Sequence, residues 1–194
     1  MSQRFAPAAT PLTLLALHAK GLDAKQFADA HGEAFFVLVS SPFPMRSLGD
    51  AERMRHTTPQ ANAVREHDTG EITIGVFPLK KQLESTHPFI SVGRTDDNDI
   101  AIHDETVSRF HAFVRWDHQH RRWVVQDARS KNGTTVDGVA VPRRGDGNAV
   151  ELRPGALVMF GSVSMHFADV SEIWQLLNAS PEAQSYRPFA AGTK

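Results

Sequence analysis

Apolar and polar residues alternate with a period of two from residue 71 onwards, and short turn sequences interrupt this alternation. A period of two is typical of β-strands, because successive side chains point to opposite faces of a sheet. Asp137-Gly138 is a strong signal for a two-residue hairpin turn, and residues 111–127 predict a second hairpin. About ten short strands follow one another with no helical pattern between them, which predicts an all-β sandwich.

The first forty residues show a different pattern. Thr10 followed by Pro11 predicts a helix with Thr10 as its N-cap. Asp23 with Gln26 three residues later predicts a second short helix that begins with a capping box. Residues 34–39 are apolar without interruption, and this run predicts a buried strand.

The end of the chain predicts one more helix, amphipathic and capped by Ser171. The apolar faces of the N-terminal helices, the strand at residues 34–39 and this last helix are expected to pack together beside the sandwich. The patterns divide the chain into an N-terminal appendage of two helices and a strand (1–44), a linker (45–69), a β-sandwich (70–168), a C-terminal helix (169–179) and a tail (180–194).

Composition excludes several classes of protein. With 21 basic and 22 acidic residues the formal net charge is −1, which argues against a general binder of nucleic acid or anionic membranes. The chain has no cysteine, so disulfides, thiolate nucleophiles and cysteine zinc sites are absent. The apolar run at residues 12–19 is too short to span a bilayer, which needs about 20 apolar residues. We therefore expect a cytoplasmic protein.

Three short segments at the ends of predicted strands carry candidate chemistry: Val92-Gly93-Arg94, Ser108-Arg109-Phe110-His111 and Ser130-Lys131-Asn132-Gly133-Thr134. Together they place cationic groups, a hydroxyl and an amide on loops. That combination can hold a phosphate monoester without hydrolysing it.

These segments stand in the order and spacing of a forkhead-associated (FHA) domain, and the chain resembles that family over roughly residues 70–168. Asn98-Asp99-Ile100 and Leu152-Arg153-Pro154-Gly155 add to the resemblance. It implies an eleven-stranded β-sandwich whose loops at one end bind phosphothreonine peptides. It also implies a phosphorylated partner protein and an upstream Ser/Thr kinase, and it implies no cofactor.

Site residues follow from the resemblance, position by position. Arg94 would pair with the phosphate and Ser108 would donate its hydroxyl to a phosphate oxygen. Arg109 and Lys131 would contact the phosphate or the peptide, and Asn132 would bind the peptide backbone. The positions that would shape the loops without touching the ligand are Gly93, His111, Gly133 and Thr134.

Enzyme and metal-site alternatives have weaker support. Ser108, His111 and Asp127 are the residue types of a hydrolase triad, but no Gly-x-Ser-x-Gly elbow is present. The acidic residues 96–99 lack the later glycine and glutamate of a calcium loop, and the histidines within 118–120 fit a solvent-facing hairpin tip. We therefore predict that the protein is not an enzyme and binds no metal.

Two binding alternatives remain open. The protein could act as a phospho-independent scaffold that uses a face of the sandwich or the N-terminal appendage. A phosphorylated Thr57 or Thr58 in the linker could instead fold back into the chain's own pocket.

Overall fold

The computed structural model describes residues 10–40, 73–81 and 87–178. Within these ranges the chain forms twelve strands and three helices. The strands are β1 (Thr10–Pro11), β2 (Ala34–Ser40), β3 (Thr73–Pro78), β4 (Ile90–Gly93), β5 (Ile100–Ala101), β6 (Ala112–Asp117), β7 (Arg122–Asp127), β8 (Thr134–Val136), β9 (Val139–Ala140), β10 (Val150–Leu152), β11 (Leu157–Phe160) and β12 (Val163–Asp169). The helices are α1 (Leu12–Ala19), α2 (Ala24–His31) and α3 (Val170–Asn178).

The strands form two sheets. A seven-stranded sheet has the order β1-β3-β2-β12-β11-β8-β9, and a five-stranded sheet has the order β10-β7-β6-β4-β5. The main core lies between them and contains fully buried side chains such as Phe36, Val114, Phe160 and Met165. The predicted all-β sandwich and both predicted hairpins are therefore confirmed.

The seven-stranded sheet is buried on both faces around β2, β3 and β12. In β2, Phe36 belongs to the core between the sheets, while its neighbours Phe35 and Val37 belong to a second core. The second core lies on the other side of the sheet, because neighbouring residues of a strand face opposite ways. This double burial explains why residues 34–37 are apolar without interruption, whereas Val39 near the end of the strand is 40% exposed.

The three helices form the outer wall of that second core. Phe27 of α2 is fully buried. Its ring lies 6.2 Å from that of Phe35 on the sheet and 5.6 Å from that of Trp174 on α3. Leu15 of α1 and Ile173 of α3 are buried in the same cluster. None of these described helices is long and apolar enough to cross a membrane.

The position of β2 corrects one expectation. The sequence placed this strand with the helices beside the sandwich, whereas it lies inside the seven-stranded sheet. Its residue Phe36 pairs with Phe77 of β3 on one side and with Phe167 of β12 on the other. The limits at residues 44, 69 and 168 remain predictions, and the linker lies outside the described residues.

The first helix begins one residue later than predicted. Thr10 and Pro11 form a short strand paired with β3, and Pro11 occupies the N-cap position of α1 with no side-chain cap bond. Thr10 is therefore not the cap, because pairing with β3 holds this segment extended. The second predicted helix start is confirmed, since Asp23 and Gln26 form both bonds of a capping box, at 2.8 and 3.0 Å.

The cap of the last helix also differs from the prediction. Strand β12 continues to Asp169, whose side chain accepts a hydrogen bond of 2.9 Å from the backbone nitrogen of Glu172. The Glu172 carboxylate in turn accepts a hydrogen bond from the Asp169 nitrogen at 3.2 Å. Asp169 thus caps α3 in place of Ser171, because strand and helix follow each other without a loop.

Candidate functional site

At the end of β4, two loops meet at Gly93, where there is no room for a side chain. The backbone nitrogen of Arg94 donates to the carbonyl of Ser108 at 2.9 Å. A Cβ atom on Gly93 would lie 2.1 Å from the Arg109 carbonyl oxygen and 2.7 Å from the Asn98 amide nitrogen. That amide itself donates to the Arg109 carbonyl at 2.7 Å. Residue 93 must therefore be glycine for the loop after β4 to meet the loop before β6.

Ser108 joins this pair of loops to a third. Its hydroxyl oxygen accepts a bond of 3.0 Å from the backbone nitrogen of Lys131, in the loop between β7 and β8. Because the oxygen accepts this bond, the hydroxyl hydrogen remains to be donated, and no acceptor for it is found in the part of the chain that the structure describes. Arg94, Ser108 and Lys131 are thus brought together around one hydroxyl.

His111 fixes the base of the site. It is fully buried, and its Nδ1 accepts a bond of 2.9 Å from the backbone nitrogen of Ser108. Nε2 therefore carries the proton and donates to the Gly133 carbonyl at 3.0 Å. Burial lowers the pKa of His111, and the Gly133 carbonyl and the Asp127 charge oppose this only partly. The ring is a neutral link between two loops.

Asp127 shapes the loop after β7. One carboxylate oxygen accepts from the Ser130 nitrogen at 2.9 Å, and the other accepts from the hydroxyls of Ser130 at 2.6 Å and Thr134 at 2.7 Å. All three residues are buried. Gly133 follows with a φ of +81°, a conformation that glycine adopts without strain. This network holds Lys131 and Asn132 on the outside of a tight loop.

Asn132 has a partner that the sequence did not predict. Its side-chain nitrogen donates to the Thr106 carbonyl at 2.7 Å, and the residue as a whole is exposed. The Thr106 hydroxyl in turn accepts from the backbone nitrogen of Ser162 at 3.0 Å. Loop contacts between residues so distant in sequence carry no local signal, so Thr106 could not be identified from the sequence alone.

The cationic side chains around this framework point to solvent. Arg94, Arg109 and Lys131 are all exposed. Among the described residues, none of the three forms an ion pair. Two nearby acidic residues have other partners, since Asp96 lies 2.7 Å from His103 and Asp97 accepts a bond from Thr95. The arrangement can therefore receive an anion without first breaking a salt bridge.

A hydrolase triad is not formed by the three candidate residues. Both ring nitrogens of His111 bind backbone atoms, and the carboxylate of Asp127 binds Ser130 and Thr134. The acidic segment 96–99 also has protein partners, since Asp99 lies 2.7 Å from Lys81. No group of three metal-ligating side chains occurs within the described ranges.

Comparison with known proteins identifies the matching part of the chain. The family model of the FHA domain matches residues 90–161, which contain all the candidate site residues. A curated relative, protein phosphatase 2C 70 of Arabidopsis thaliana, is 30% identical over 103 residues. That match covers 50% of this chain and 18% of the relative, so the chain spans less than a fifth of the relative's length.

Solved structures include similar chains. The FHA domain of the kinase associated protein phosphatase of Arabidopsis has 20% identity and a TM-score of 0.42, over 71% of this chain and 93% of its own. Full-length yeast Pml1p has 16% identity and a TM-score of 0.45, over 87% of this chain and 98% of its own. The resemblance to the FHA family that the sequence predicts is confirmed, and it rests on the family match over residues 90–161.

Proposed function

We propose that this protein is a binding module for a phosphothreonine of a partner protein and that it acts in the cytoplasm, downstream of a Ser/Thr kinase. In this proposal Arg94, Ser108 and Lys131 hold the phosphate. Arg109 adds a charge at the edge of the site, and Asn132 fixes the peptide backbone.

The observation that carries the proposal is the junction at Ser108. Its carbonyl binds the Arg94 nitrogen at 2.9 Å and its hydroxyl binds the Lys131 nitrogen at 3.0 Å. Two flexible cationic side chains therefore start from backbone positions that are fixed relative to one hydroxyl donor. Fixing the positions before binding lowers the ordering entropy that a ligand must overcome.

The chemistry of a phosphate monoester fits this donor set. A phosphothreonine carries a charge of about −1.5 to −2 and three strong acceptor oxygens. The Arg94 guanidinium offers a planar pair of donors, the Lys131 ammonium a compact charge and the Ser108 hydroxyl one directed hydrogen. Each charge-assisted bond contributes about 1.5–3 kcal/mol.

Asn132 is suited to recognise the peptide through its oxygen. Its amide nitrogen donates to the Thr106 carbonyl at 2.7 Å, so in this exposed residue the amide oxygen can accept from a backbone N–H of the ligand. Since the Thr106 contact also fixes the orientation of the amide, this acceptor would set the register of the peptide beside the phosphate.

The same arrangement supports binding and not hydrolysis. The histidine beside Ser108 is not free to act as a base, because His111 uses both ring nitrogens on the backbone. We therefore propose that the protein is not an enzyme and needs no cofactor. Thr57 and Thr58, which could supply a ligand from the same chain, lie outside the described residues.

One observation favours a second candidate, a phospho-independent scaffold. Leu14 and Leu17 of α1 are 43% and 57% exposed, so the N-terminal helices present apolar side chains to solvent. In this alternative a partner would bind the helical layer, and the loops around Ser108 would play no part.

The test is binding of a degenerate phosphothreonine peptide library, with phosphoserine and unphosphorylated libraries beside it. The wild type is expected to select phosphothreonine peptides, and Arg94→Ala is expected to lose at least tenfold in affinity. Arg153→Ala removes an exposed arginine of the β10–β11 turn and serves as the control, with affinity unchanged. Equal affinity for phosphorylated and unphosphorylated peptides would reject the proposal and favour the scaffold.

A further inference from the structure

Four aromatic rings form a continuous patch on the outer face of the five-stranded sheet. We define the aromatic patch as His87, Phe89, Phe110 and Phe113. The Phe89 ring lies 5.0 Å from His87, 6.3 Å from Phe110 and 4.9 Å from Phe113, and Phe110 and Phe113 are 6.4 Å apart. In β6, Phe113 alternates with the buried Ala112 and Val114, so its side chain points away from the core.

This patch is exposed and bordered by cations. Phe110 is 40% exposed, which is unusual for so large an apolar side chain. The Lys81 nitrogen lies 5.9 Å from the centre of the Phe89 ring, and the Arg144 guanidinium lies 5.9 Å from that of Phe113. Lys81 is engaged with Asp99 at 2.7 Å, whereas the exposed guanidinium of Arg144 forms no ion pair within the described residues.

Three rings of the aromatic patch, those of His87, Phe89 and Phe110, line a cavity of about 340 Å³. Its charged and polar lining includes Arg144 and Lys81, the single carboxylate Asp97, and Asn98. Asn98 belongs to both sites, because its amide also holds the Arg109 carbonyl at 2.7 Å. Phe110 stands two residues after Ser108, so the cavity and the phosphate-binding loops form one continuous surface.

We propose that the phosphorylated partner places an aromatic side chain, with an acidic residue beside it, in the cavity of the aromatic patch. This inference rests on the proposed function and names the chemistry of the peptide around the phosphothreonine. Phe110 is two positions after Ser108, at most about 7 Å along the backbone. An extended peptide advances about 3.3 Å per residue, so this distance corresponds to about two residues, and the reach of the side chains widens the range to about four residues from the phosphothreonine.

The choice of occupant follows from shape and charge. Offset and edge-to-face contacts between rings contribute beyond simple burial, and Phe89 and Phe110 offer such surfaces to one further ring, with Phe113 packed against both. Arg144 lines the cavity and forms no ion pair with a described residue, and Arg109 precedes Phe110 in the chain and is likewise unpaired among the described residues. A carboxylate next to the incoming ring would complement them.

The experiment measures dissociation constants for synthetic phosphothreonine peptides. Single positions two to four residues before and after the phosphothreonine carry Trp or Ala, with Asp or Ala beside them. At one position Trp is expected to bind about tenfold more tightly than Ala in the wild type. Phe110→Ala is expected to lose this gain and yet to bind the Ala peptide as the wild type does, and Arg144→Glu is expected to lose the preference for Asp.

Two controls separate the patch from its surroundings. Val139→Ala removes a side chain that is 66% exposed on the other sheet, and it is expected to keep the full Trp gain. Circular dichroism and the urea midpoint of each variant show that the fold is retained. Phe113→Ser provides a second variant of the patch, so the conclusion does not depend on the behaviour of Phe110→Ala alone.

The outcomes that overturn the inference are distinct from failure of the proposed function. If Arg94→Ala abolishes binding but Phe110→Ala and Phe113→Ser keep the Trp gain, the patch does not bind the partner and the phosphothreonine site stands. If the wild type shows no phosphate-dependent binding, both proposals are wrong. If the wild type sediments as a dimer, and Phe110→Ala as a monomer with unchanged peptide affinities, the patch is a contact between two copies.

Discussion

At the scale of single residues, the site depends on atoms that a sequence motif does not describe. The amide of Asn98 and the carbonyl of Arg109 occupy the space where a side chain of residue 93 would lie. The contact between the first two loops therefore requires a glycine. Gly133 is different, since a Cβ there would meet no atom within 4 Å and only its φ of +81° favours glycine.

Gly93→Ala is expected to destabilise the protein by more than about 2 kcal/mol, because the new methyl group would overlap a backbone oxygen. Urea unfolding followed by circular dichroism measures this loss. Gly155→Asn is the matched control: Gly155 has a φ of +81° and open space around it, and asparagine tolerates that conformation, so a change below about 1 kcal/mol is expected. An unchanged midpoint for Gly93→Ala would contradict the described contact.

The lowered pKa of His111 predicts that the protein loses stability in mild acid. The unfolded chain protonates its histidines near pH 6.5, while burial lowers the pKa of His111 in the folded chain. Between about pH 7 and 5 the unfolded state therefore holds more protons, and the free energy of unfolding falls as the pH falls. His31 and His166, whose pKa values burial also lowers, act in the same direction.

Urea unfolding at several pH values between 7.5 and 5 measures this slope. In His111→Gln the free energy of unfolding is expected to change less with pH, because one of the three histidines named above is gone. Nitrogen-15 NMR of the wild type should show His111 protonated at Nε2 and not at Nδ1 at pH 7. A ring protonated at Nδ1 would refute the proposed link between the loops.

At the scale of elements, the loop between β7 and β8 is held from the inside by one carboxylate. Asp127 ends β7 and binds Ser130 in the loop and Thr134 at the start of β8 through three hydrogen bonds. Because Ser130 and Thr134 are buried with it, water cannot replace those bonds. The exposed Lys131 and Asn132 thus owe their positions to an interior group.

Asp127→Asn is expected to reduce the free energy of unfolding by about 2–3 kcal/mol, since the amide nitrogen would replace an acceptor oxygen and face the one or two donors bound there in a buried space. It should also weaken phosphopeptide binding by displacing the loop. Asp146→Asn is the control, because Asp146 pairs with Arg129 at 3.6 Å on the surface and should contribute less than about 0.5 kcal/mol. Similar losses for both variants would show that the buried network does not hold the loop.

Local elements could be predicted from the sequence, and non-local ones could not. Asp137-Gly138 predicted a hairpin, and Asp23 with Gln26 predicted a helix start, because each signal acts within a few residues. Thr10 was wrongly predicted as a cap because its pairing with Val76 of a distant strand is invisible in the local pattern. The bond from Asn132 to the Thr106 carbonyl was missed for the same reason.

At the scale of the whole molecule, the site depends on an N-terminal strand far from it in sequence. Strand β2 lies between β3 and β12, and it contributes Phe36 to the core between the sheets and Phe35 to the core under the helices. The family match begins only at residue 90 and does not include β2. The cooperative folding unit is therefore expected to be larger than the matched segment.

A fragment of residues 70–178 is expected not to fold, because it lacks β1 and β2, which leaves β3 without a paired strand, β12 with β11 alone and both cores open. Proton–nitrogen NMR should show a narrow, unfolded spectrum for this fragment and a dispersed spectrum for residues 10–178. A cooperative unfolding transition of the shorter fragment would instead support the sandwich limits of 70 and 168 that the sequence predicts.

The place of β2 also constrains how the chain is made. Ala34 pairs with Asp169, so about 130 residues must be synthesised after β2 before its second neighbour exists, which takes on the order of ten seconds at ribosomal rates. Throughout that interval the apolar residues 34–39 have no complete sheet to enter. Strand β2 of the nascent chain therefore stays without its full set of neighbours for that time, and the loops of the candidate site acquire their final form only when translation of the domain is nearly complete.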